Sequence, residues 1–321
     1  MDEERILKSL VRREEAGAAL ETFLAARFPY HTAEEWAALA AGGALLVNGG
    51  PPDPARPLAE GDEVRYVPPA VPEPPVDDGV RVLYEDADII AVDKPGNLPA
   101  HPAGKYFRHT LWWLLRERFG VAEPSLLNRL DRETSGVTLA AKHPAAAAAC
   151  RAQFTARTVA KKYTVFAGGA LEGPLEARGY LGPAAGSAVR KKRAFVRSLD
   201  DGPEPGREAQ WAETLFLPVM RLDDLSVLEA VPRTGRLHQI RATLLALRLP
   251  VLGDKIYGPD EGLFLRFLED RLTDGDRALL RLPRQALHAS ELAFRHPADG
   301  RPMKLNAPLP ADMLALLDRL P

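Results

Sequence analysis

The sequence has almost no cysteine: Cys150 is the only one among 321 residues. One thiol cannot close a disulfide within the chain or build a cysteine-based zinc site, and such scarcity is typical of proteins of the reducing cytoplasm. The first five residues, Met-Asp-Glu-Glu-Arg, are charged and lack the apolar core of a secretory signal. The sequence therefore predicts a cytoplasmic protein.

Long apolar runs and an excess of one charge are also missing. No stretch approaches the roughly 20 apolar residues that cross a membrane. Lysine and arginine number 42 and the acidic residues 44, so the formal charge is −2 at pH 7. A nucleic acid would therefore have to be bound through local basic patches. The seven histidines are scattered without a His-Glu-x-x-His spacing, so the sequence predicts no metal site.

What is present is an ordinary globular composition, 46% hydrophobic and 27% charged, with one proline-rich interruption. Residues 68–78 contain five prolines, which predicts a stiff, extended linker. We place a domain boundary there. The sequence thus predicts a small domain over residues 1–67, the linker over 68–78, and a large domain over 79–321.

The small domain is predicted to combine two helices with two strands. Residues 17–28 have a helical pattern, and Thr32 followed by Glu35 predicts a capping box for a second helix. Residues 44–50 then predict a strand closed by an Asn-Gly turn, and residues 61–67 predict another strand.

The large domain is predicted to be dominated by strands with helices between them. Its first part, residues 81–96, reads as strand, acidic turn, strand and a Pro-Gly stop. An amphipathic helix is predicted over 110–119 and a second helix over 241–247, with strands at 162–167, 209–216 and 225–231. This order predicts an α+β fold with a mixed, mostly antiparallel sheet and flanking helices.

The most informative segment is residues 128–136, Asn-Arg-Leu-Asp-Arg-Glu-Thr-Ser-Gly, a polar loop between two apolar runs. It sets the carboxylate of Asp131 between Arg129 and Arg132, and nearby positive charge keeps a carboxylate ionised at neutral pH. An ionised aspartate held on a loop can attack carbon. A surface Arg–Asp ion pair in a polar turn is the alternative interpretation of this loop alone.

Three further segments carry unusual side chains. Residues 161–165 place two lysines before Tyr163 on a predicted strand. Residues 233–241 form a dense set of hydrogen-bond donors followed by an apolar helix, with Gln239 and Arg241 on either side of Ile240. Residues 286–297 read as a strand that contains His288. Each segment alone would fit an ordinary edge strand or a solvated basic turn.

Together these segments resemble the RluA-type family of pseudouridine synthases. The pattern at residues 84–95, Tyr-Glu-Asp-x-Asp-Ile-Ile-x-Val-Asp-Lys-Pro, resembles the opening of that family's catalytic domain, and His101-Pro102 follows it. The match continues through the Arg-Leu-Asp loop, the segment 234–241, the segment 250–258 and residues 307–310. The resemblance covers about residues 80–312 in the family's order. The combination is far more specific than any one motif.

The resemblance implies an RNA-modifying isomerase that needs no cofactor. Asp131 would be the nucleophile or charge stabiliser, Arg241 would pair with it, and Tyr163 would stack on the target uracil. The substrate would be ribosomal or transfer RNA, and we expect a monomer. The family usually has His before Arg-Leu-Asp, whereas this chain has Asn128, which cannot titrate and is interpreted as structural.

Basic residues are the expected contacts to the RNA, because phosphate charge dominates such binding. Four consecutive cations occur at residues 190–193 and two more at 161–162. A solvated loop is the alternative for the longer run. The full expected set is Arg129, Arg132, Lys161, Lys162, Arg190, Lys191, Lys192, Arg193, Arg236, His238 and Gln239.

The first 67 residues resemble the S4 RNA-binding domain in their order of elements, but they depart from it in charge. S4 modules usually carry arginines and lysines along the second helix, which here begins His-Thr-Ala-Glu-Glu-Trp from residue 31. Between residues 15 and 67 there are eight acids and three bases. The fold is therefore expected to persist with a weakened RNA contact.

Other classes of protein fit less well. A retaining glycosidase also cleaves a C1′ bond, but it needs a second carboxylate about 5–5.5 Å from the first, and no motif here marks one. A metal hydrolase would need clustered ligands. The more serious rival is a catalytically silent RNA-binding or RNA-chaperone protein of the same fold. The joint presence of Asp131, Tyr163 and Arg241 argues against it.

Overall fold

The structure is a computed structural model that describes residues 5–29, 31–69, 72–198, 208–222 and 224–317. The chain divides into two compact units, residues 1–72 and residues 73–321. The division falls inside the proline-rich segment. No helix in the described ranges is long and apolar enough to cross a membrane.

The smaller unit packs two helices on a three-stranded antiparallel sheet. Its elements are β1 (Leu7–Leu10), α1 (Leu20–Arg27), α2 (Ala33–Ala41), β2 (Leu45–Val47) and β3 (Glu63–Tyr66), and the strand order is β1-β3-β2. The apolar core between the layers includes Phe23, Leu24, Trp36 and Leu45, all almost fully buried. The elements predicted between residues 17 and 67 are confirmed, whereas β1 was not predicted.

Local signals explain two of these elements. The Thr32 hydroxyl accepts a hydrogen bond from the backbone N–H of Glu35 at 3.2 Å, and the Glu35 carboxylate accepts one from Thr32 at 2.8 Å. This is the predicted capping box of α2. Asn48 and Gly49 both have positive φ, 53° and 84°, as a tight turn after β2 requires.

The larger unit is built on one extended sheet. Its elements in chain order are β4 (Arg81–Glu85), β5 (Ile89–Lys94), α3 (Leu111–Glu117), β6 (Ser125–Leu126), β7 (Ser135–Ala141), α4 (Pro144–Thr155), β8 (Ala160–Gly168), β9 (Leu175–Pro183), β10 (Arg193–Arg197), β11 (Gln210–Arg221), β12 (Leu225–Pro232), α5 (Gln239–Ala246), α6 (Gly262–Leu268), α7 (Asp274–Leu280), β13 (Leu287–Arg295), β14 (Pro302–Asn306) and α8 (Ala311–Leu317).

The sheet order is β10-β9-β11-β12-β8-β13-β7-β5-β4, with β14 paired to β13 and β6 paired to β7. Within the described ranges, every strand pair is antiparallel except β13 with β7. The α+β class and the mixed, mostly antiparallel sheet are therefore confirmed. The strands β9, β10 and β14 and the helices α6, α7 and α8 were not predicted.

The parallel junction between β7 and β13 positions the loop that precedes β7. Gly136 lies opposite Ala289 and has φ +112°. A Cβ atom at Gly136 would lie 2.2 Å from the carbonyl oxygen of Ala289, so only glycine allows the two backbones to approach this closely. The Asp131 loop is thereby held beside β13, which in turn pairs with β8.

The second half of the proline-rich segment is bonded to the larger unit. The carboxylate of Glu73 accepts hydrogen bonds from the backbone N–H groups of Phe107, Arg108 and His109, each at 2.8 Å. The carbonyl of Pro74 lies 2.7 Å from Nδ1 of His109. These bonds fix the start of the larger unit just ahead of Thr110, which caps α3.

Candidate active site

Three of the four segments that the sequence singled out meet around one cavity of about 90 Å³, and the fourth contributes Leu287 to its lining. Residues 129–131 line it from the loop before β7, and Lys161 and Tyr163 line it from β8. Residues 234–236 and 238–241 line it from the turn before α5 and from the start of that helix. Sheet pairing explains the first two, because β8 and β7 both flank β13. The third follows β12, which pairs with β8.

Asp131 and Arg241 form a direct ion pair at this cavity. Nη1 of Arg241 donates to Oδ2 of Asp131 at 2.7 Å, across 110 residues of sequence. The side chain of Asp131 is 28% exposed and that of Arg241 is 5% exposed. The predicted pairing of these two residues is thus present in the structure; both residues line the cavity, with the carboxylate partly exposed and the guanidinium almost fully buried.

Asp254 holds Arg241 in place from the other side. Nε and Nη2 of Arg241 donate to the two carboxylate oxygens of Asp254 at 2.6 and 2.9 Å. The carboxylate of Asp254, which is fully buried, also accepts the backbone N–H groups of Ile256 and Tyr257, each at 3.0 Å. Sequence reasoning missed this role. The available signal was the Gly-Asp-Lys-Ile-Tyr-Gly segment at residues 253–258.

This arrangement keeps Asp131 ionised. Burial by itself raises the pKa of Asp131, but the Arg241 guanidinium, together with His238 and a hydrogen bond from Gln285, outweighs burial and holds the pKa below the usual carboxyl range. Burial likewise raises the pKa of Asp254 by itself, and Arg241 again brings it below the usual range. Burial alone would lower the pKa of Arg241, yet the two carboxylates raise it overall. At neutral pH the site therefore holds one cation between two anions.

Tyr163 shares the cavity with Asp131. It lies on β8 and is half-buried. Burial raises the pKa of Tyr163 to about 12, and the negative charge of Asp131 acts in the same direction. The hydroxyl of Tyr163 is therefore protonated at neutral pH.

His238 and Tyr257 form a second group next to Asp131. Nε2 of His238 lies 3.8 Å from Oδ1 of Asp131, and its Nδ1 lies 2.9 Å from the hydroxyl of Tyr257. That hydroxyl also accepts the backbone N–H of Arg193 at 2.8 Å. Sequence reasoning expected His238 to contact RNA and missed Tyr257. His238 is 9% exposed and also lines the cavity.

A buried lysine supports the loop that carries Asp131. Nζ of Lys94 is fully buried and donates to the carbonyls of Pro95, Leu98 and Arg132 at 2.7, 2.9 and 3.2 Å. Burial lowers the pKa of Lys94 to about 7. The lysine joins the Pro-Gly turn after β5 to the residue that follows Asp131. Its signal in the sequence was the Asp-Lys-Pro-Gly stop.

Asn128 connects the two ends of the loop that carries Asp131. Its side-chain amide donates to the carbonyl of Val137 at 2.9 Å and accepts the N–H of Leu139 at 2.8 Å. Both partners belong to β7. These bonds agree with the structural role that was expected for this residue.

The expected RNA-contacting residues fall into three groups. Arg129, Lys161 and Arg236 line the cavity. Nζ of Lys161 donates to the carbonyl of Thr234 at 3.3 Å, and burial lowers its pKa. Arg190 and Lys191 lie exposed in the loop between β9 and β10, where the ammonium of Lys191 is 4.7 Å from the ring centroid of Phe264.

Most of the remaining expected contacts have side-chain partners within the protein. Arg132 donates to the hydroxyl of Tyr106 at 2.7 Å, Lys162 pairs with Glu229 at 3.2 Å, and Lys192 pairs with Glu261 at 2.7 Å. Arg193 begins β10 and is half-buried. The amide of Gln239 is 4% exposed and bonds to Thr234, Thr214 and the carbonyl of Glu213.

A separate cluster of side chains of the kind that bind metal ions lies in the turn between β4 and β5 and just after β13. Asp86, Asp88 and His296 bring their polar atoms within 4.8 Å of one another. The carboxylate of Asp86 accepts hydrogen bonds from the Tyr84 hydroxyl and from backbone amides, and Arg301 lies 3.7 Å away. Because hydrogen-bond donors surround the Asp86 carboxylate, we interpret this cluster as a structural hydrogen-bond network.

Comparison with known proteins identifies the family of this chain. A family profile described as RNA pseudouridylate synthase matches residues 88–246. An uncharacterized RNA pseudouridine synthase of Chlorobaculum parvum is 31% identical over 291 residues, which span 87% of this chain and 86% of that protein. The chain belongs to the RluA-type family of RNA pseudouridine synthases.

Further relatives agree with this. The ribosomal large subunit pseudouridine synthase D of Xanthomonas campestris is 31% identical over 313 residues, 95% of this chain and 89% of that protein. The solved structure of human RNA pseudouridylate synthase domain containing 4 is 25% identical, with a TM-score of 0.57, and covers 74% of this chain and 92% of that one. The expected activity, an isomerase that makes pseudouridine in RNA, is confirmed, and the matched region contains Asp131, Tyr163 and Arg241.

Proposed function

We propose that this pseudouridine synthase acts on uridines of large-subunit ribosomal RNA, with Asp131 as the attacking carboxylate. The observation that carries the mechanism is the ionised Asp131, held by Arg241 at 2.7 Å on a cavity that Tyr163 also lines. The choice of RNA is supported by relatives such as that of Xanthomonas campestris, whose name specifies the ribosomal large subunit. Transfer RNA is the alternative substrate that the family resemblance allows.

The reaction breaks the N1–C1′ bond, turns the uracil, joins C5 to C1′, and moves one proton from C5 to N1 overall. An ionised Asp131 serves either of two routes, attack at ribose C1′ or attack at uracil C6. In both routes the carboxylate forms a bond to carbon and is later released. The target uridine has to leave its helix first, at a free-energy cost of a few kcal/mol that stacking and phosphate contacts offset.

Arg241 orients the attacking group and keeps it charged. Its guanidinium is fixed by Asp254, so its position needs no rearrangement when the substrate binds. Preorganised charge of this kind is the strongest type of electrostatic assistance, because no solvent has to reorganise during the reaction.

Tyr163 stacks on the uracil and receives the C5 proton. With a pKa of about 12, forming the free tyrosinate at pH 7 would require on the order of 7 kcal/mol. The hydroxyl can therefore accept a proton only if it gives up its own at the same time. Asp131, whose charge already acts on Tyr163, is the acceptor we assign; it then loses this proton to water, and N1 takes up a proton from water, which restores the ionised carboxylate.

The cavity cations hold the flipped nucleotide. Arg129, Lys161 and Arg236 surround the opening with three positive charges, and Lys161 lacks a carboxylate partner among the described residues. Exposed Arg190 and Lys191 extend the positive surface toward the RNA backbone. We assign the first three to the target nucleotide and the latter two to neighbouring phosphates.

The smaller unit is proposed to be an S4-like domain with little RNA affinity of its own. Each of the three bases counted between residues 15 and 67 pairs with an acid: Arg27 with Glu15 at 2.8 Å, Arg56 with Asp62 at 3.1 Å, and Arg65 with Glu63. Cations that already have carboxylate partners contribute less to phosphate binding.

Tritium release from RNA labelled at uridine C5 tests the mechanism. Wild-type protein should release tritium from a large-subunit ribosomal transcript, while Asp131→Asn should release none. Equal release by the two proteins would overturn the role of Asp131. A parallel assay with labelled transfer RNA tests the substrate, because release from transfer RNA alone would contradict the ribosomal assignment and leave the mechanism standing.

A further inference from the structure

The two oxygens of Asp131 have different neighbours. Oδ2 accepts from Arg241, whereas Oδ1 faces Nε2 of His238 at 3.8 Å. We propose that His238 is a positioning residue that donates from Nε2 to Oδ1 of Asp131 during the reaction, and that the hydroxyl of Tyr257 selects the ring tautomer that makes this possible. The proposal rests on the proposed function of Asp131.

The hydrogen bonds of Tyr257 leave two arrangements for the ring of His238. Burial lowers the pKa of His238 to about 4, with Arg241 acting in the same direction, so the neutral ring carries one N–H. The Tyr257 hydroxyl has one hydrogen and already accepts the N–H of Arg193. Either this hydrogen is donated to Nδ1, which places the ring hydrogen on Nε2, or Nδ1 carries the hydrogen and Nε2 is bare.

The charge of Asp131 decides between them. An ionised carboxylate has no hydrogen to donate, so a bare Nε2 opposite Oδ1 would set a lone pair against a negative charge. Burial raises the pKa of Tyr257 to about 12, so its hydroxyl keeps the hydrogen that Nδ1 needs. The chain of donors therefore runs from Arg193 N–H to Tyr257, from Tyr257 to His238, and from His238 to Asp131.

The backbone of His238 supports a positioning role. It has φ 57° and ψ 21°, the left-handed region, immediately before α5 begins at Gln239. Such a conformation in a non-glycine residue costs about 1 kcal/mol or more and persists where the surroundings determine it. Here the ring packs edge-on against Tyr257, with centroids 5.5 Å apart and planes at 85°.

The separation of 3.8 Å is too long for a hydrogen bond without substrate. Catalytic hydrogen bonds are often long in the free enzyme and shorten in the substrate complex. Closing the gap would hold Asp131 by both oxygens, and its carboxylate could then no longer rotate away from the cavity.

Two substitutions of the same residue separate positioning from packing. His238→Gln keeps an N–H donor at about the place of Nε2, whereas His238→Asn offers its amide only at the place of Nδ1. We expect His238→Asn to lower kcat by about 10- to 100-fold with KM unchanged, as for the loss of one hydrogen bond to a charge, and His238→Gln to restore most of it. Equal losses in both variants would overturn the proposal.

Tyr257→Phe tests the tautomer. It should lower kcat in the wild-type background but have no further effect in the His238→Gln background, because an amide has no tautomer to select. An equal effect in both backgrounds would show that the Tyr257 hydroxyl acts through something other than His238.

Nitrogen-15 NMR of protein labelled at histidine identifies the tautomer of His238 and does not depend on an assay of catalysis. The signal that is lost in His238→Gln should report a protonated Nε2 and a bare Nδ1. His288 is an internal standard, because its Nδ1 lies 2.9 Å from the Ser135 hydroxyl and its Nε2 lies 3.2 Å from the carbonyl of Ala307, which can only accept. Tyr257→Phe should change the signal of His238 and leave that of His288 unaltered.

A bare Nε2 on His238 in the wild-type protein would refute the proposal outright. This result is separate from failure of the proposed function, which would appear as equal tritium release by wild type and Asp131→Asn. The tautomer would still be measured in that case.

Discussion

Replacing Arg241 with methionine removes the charge that holds Asp131 while keeping a side chain of similar length. Two carboxylates lose their partner at once: Asp131 at the cavity and the fully buried Asp254. Breaking a buried pair in this way costs about 3–5 kcal/mol of unfolding free energy. The loss of one preorganised group at the reacting centre lowers kcat by about 10²–10³-fold. RNA affinity should change far less, because the side chain of Arg241 is only 5% exposed and its guanidinium already has two carboxylate partners.

The pH dependence distinguishes charge from position. In the wild type Arg241 holds the pKa of Asp131 below its ordinary value, so the contribution of this carboxylate to stability and activity persists until the pH falls through that lowered pKa. In Arg241→Met burial remains without the opposing cation, and the pKa of Asp131 moves above its ordinary value. The ratio of wild-type to variant kcat should therefore widen as the pH is lowered from 8 to 5.

Single-turnover rates across this pH range, with RNA binding measured in parallel, provide the assay. The double variant Arg241→Met, Asp254→Asn removes the orphaned buried charge and should recover stability without activity. Arg266→Met is a control, because Arg266 makes a comparable two-point pair with Asp276, at 3.0 and 2.7 Å, outside the cavity lining. A ratio that is constant with pH, or a binding loss that explains the whole defect, would refute the reasoning.

Three further predictions follow from individual contacts. Gly136→Ala should lower the unfolding free energy by about 3 kcal/mol or more in chemical denaturation, because the new Cβ meets the backbone of Ala289; Gly300→Ala, with φ +71° and nothing within 4 Å, should lower it less. Tyr163→Phe should preserve RNA binding, slow turnover by about 10²-fold or more, and increase the kinetic isotope effect with uridine deuterated at C5; an unchanged isotope effect would exclude the hydroxyl from that proton transfer. Deleting residues 1–72 should weaken RNA affinity only modestly in a titration, since three bases of that unit, Arg27, Arg56 and Arg65, are paired with acids; abolished binding by a folded remainder would show the charge argument to be wrong.

The elements that could be predicted are those with strong local signals. The capping box at Thr32, the Asn-Gly turn after β2 and the strands around residues 81–96 depend on neighbouring residues, and all three are present. The strand β10 could not be predicted in the same way, because it is a short edge strand that begins in a run of four cations. Its partner β9 determines its structure, and that contact is not local.

The same distinction between local and non-local contacts applies to the residues of the site. The pairing of Asp131 with Arg241 spans 110 residues and was predicted only because the segments resemble a known family. Asp254 and Tyr257 were not recognised as part of the site, because their roles depend on the three-dimensional position of single atoms in Arg241 and His238. The RNA contact expected of His238 stays a prediction: the residue lines the cavity, and its ring also contacts the Tyr257 hydroxyl, which the sequence did not indicate.

The central claim is that Asp131 of this chain isomerises uridines in large-subunit ribosomal RNA. Mapping pseudouridines across that RNA, in cells that lack the protein and are supplied with either wild type or Asp131→Asn, tests the claim most directly. We predict one or more positions that are pseudouridine with the wild type and uridine with the variant. An identical set of pseudouridines with both proteins would contradict the account.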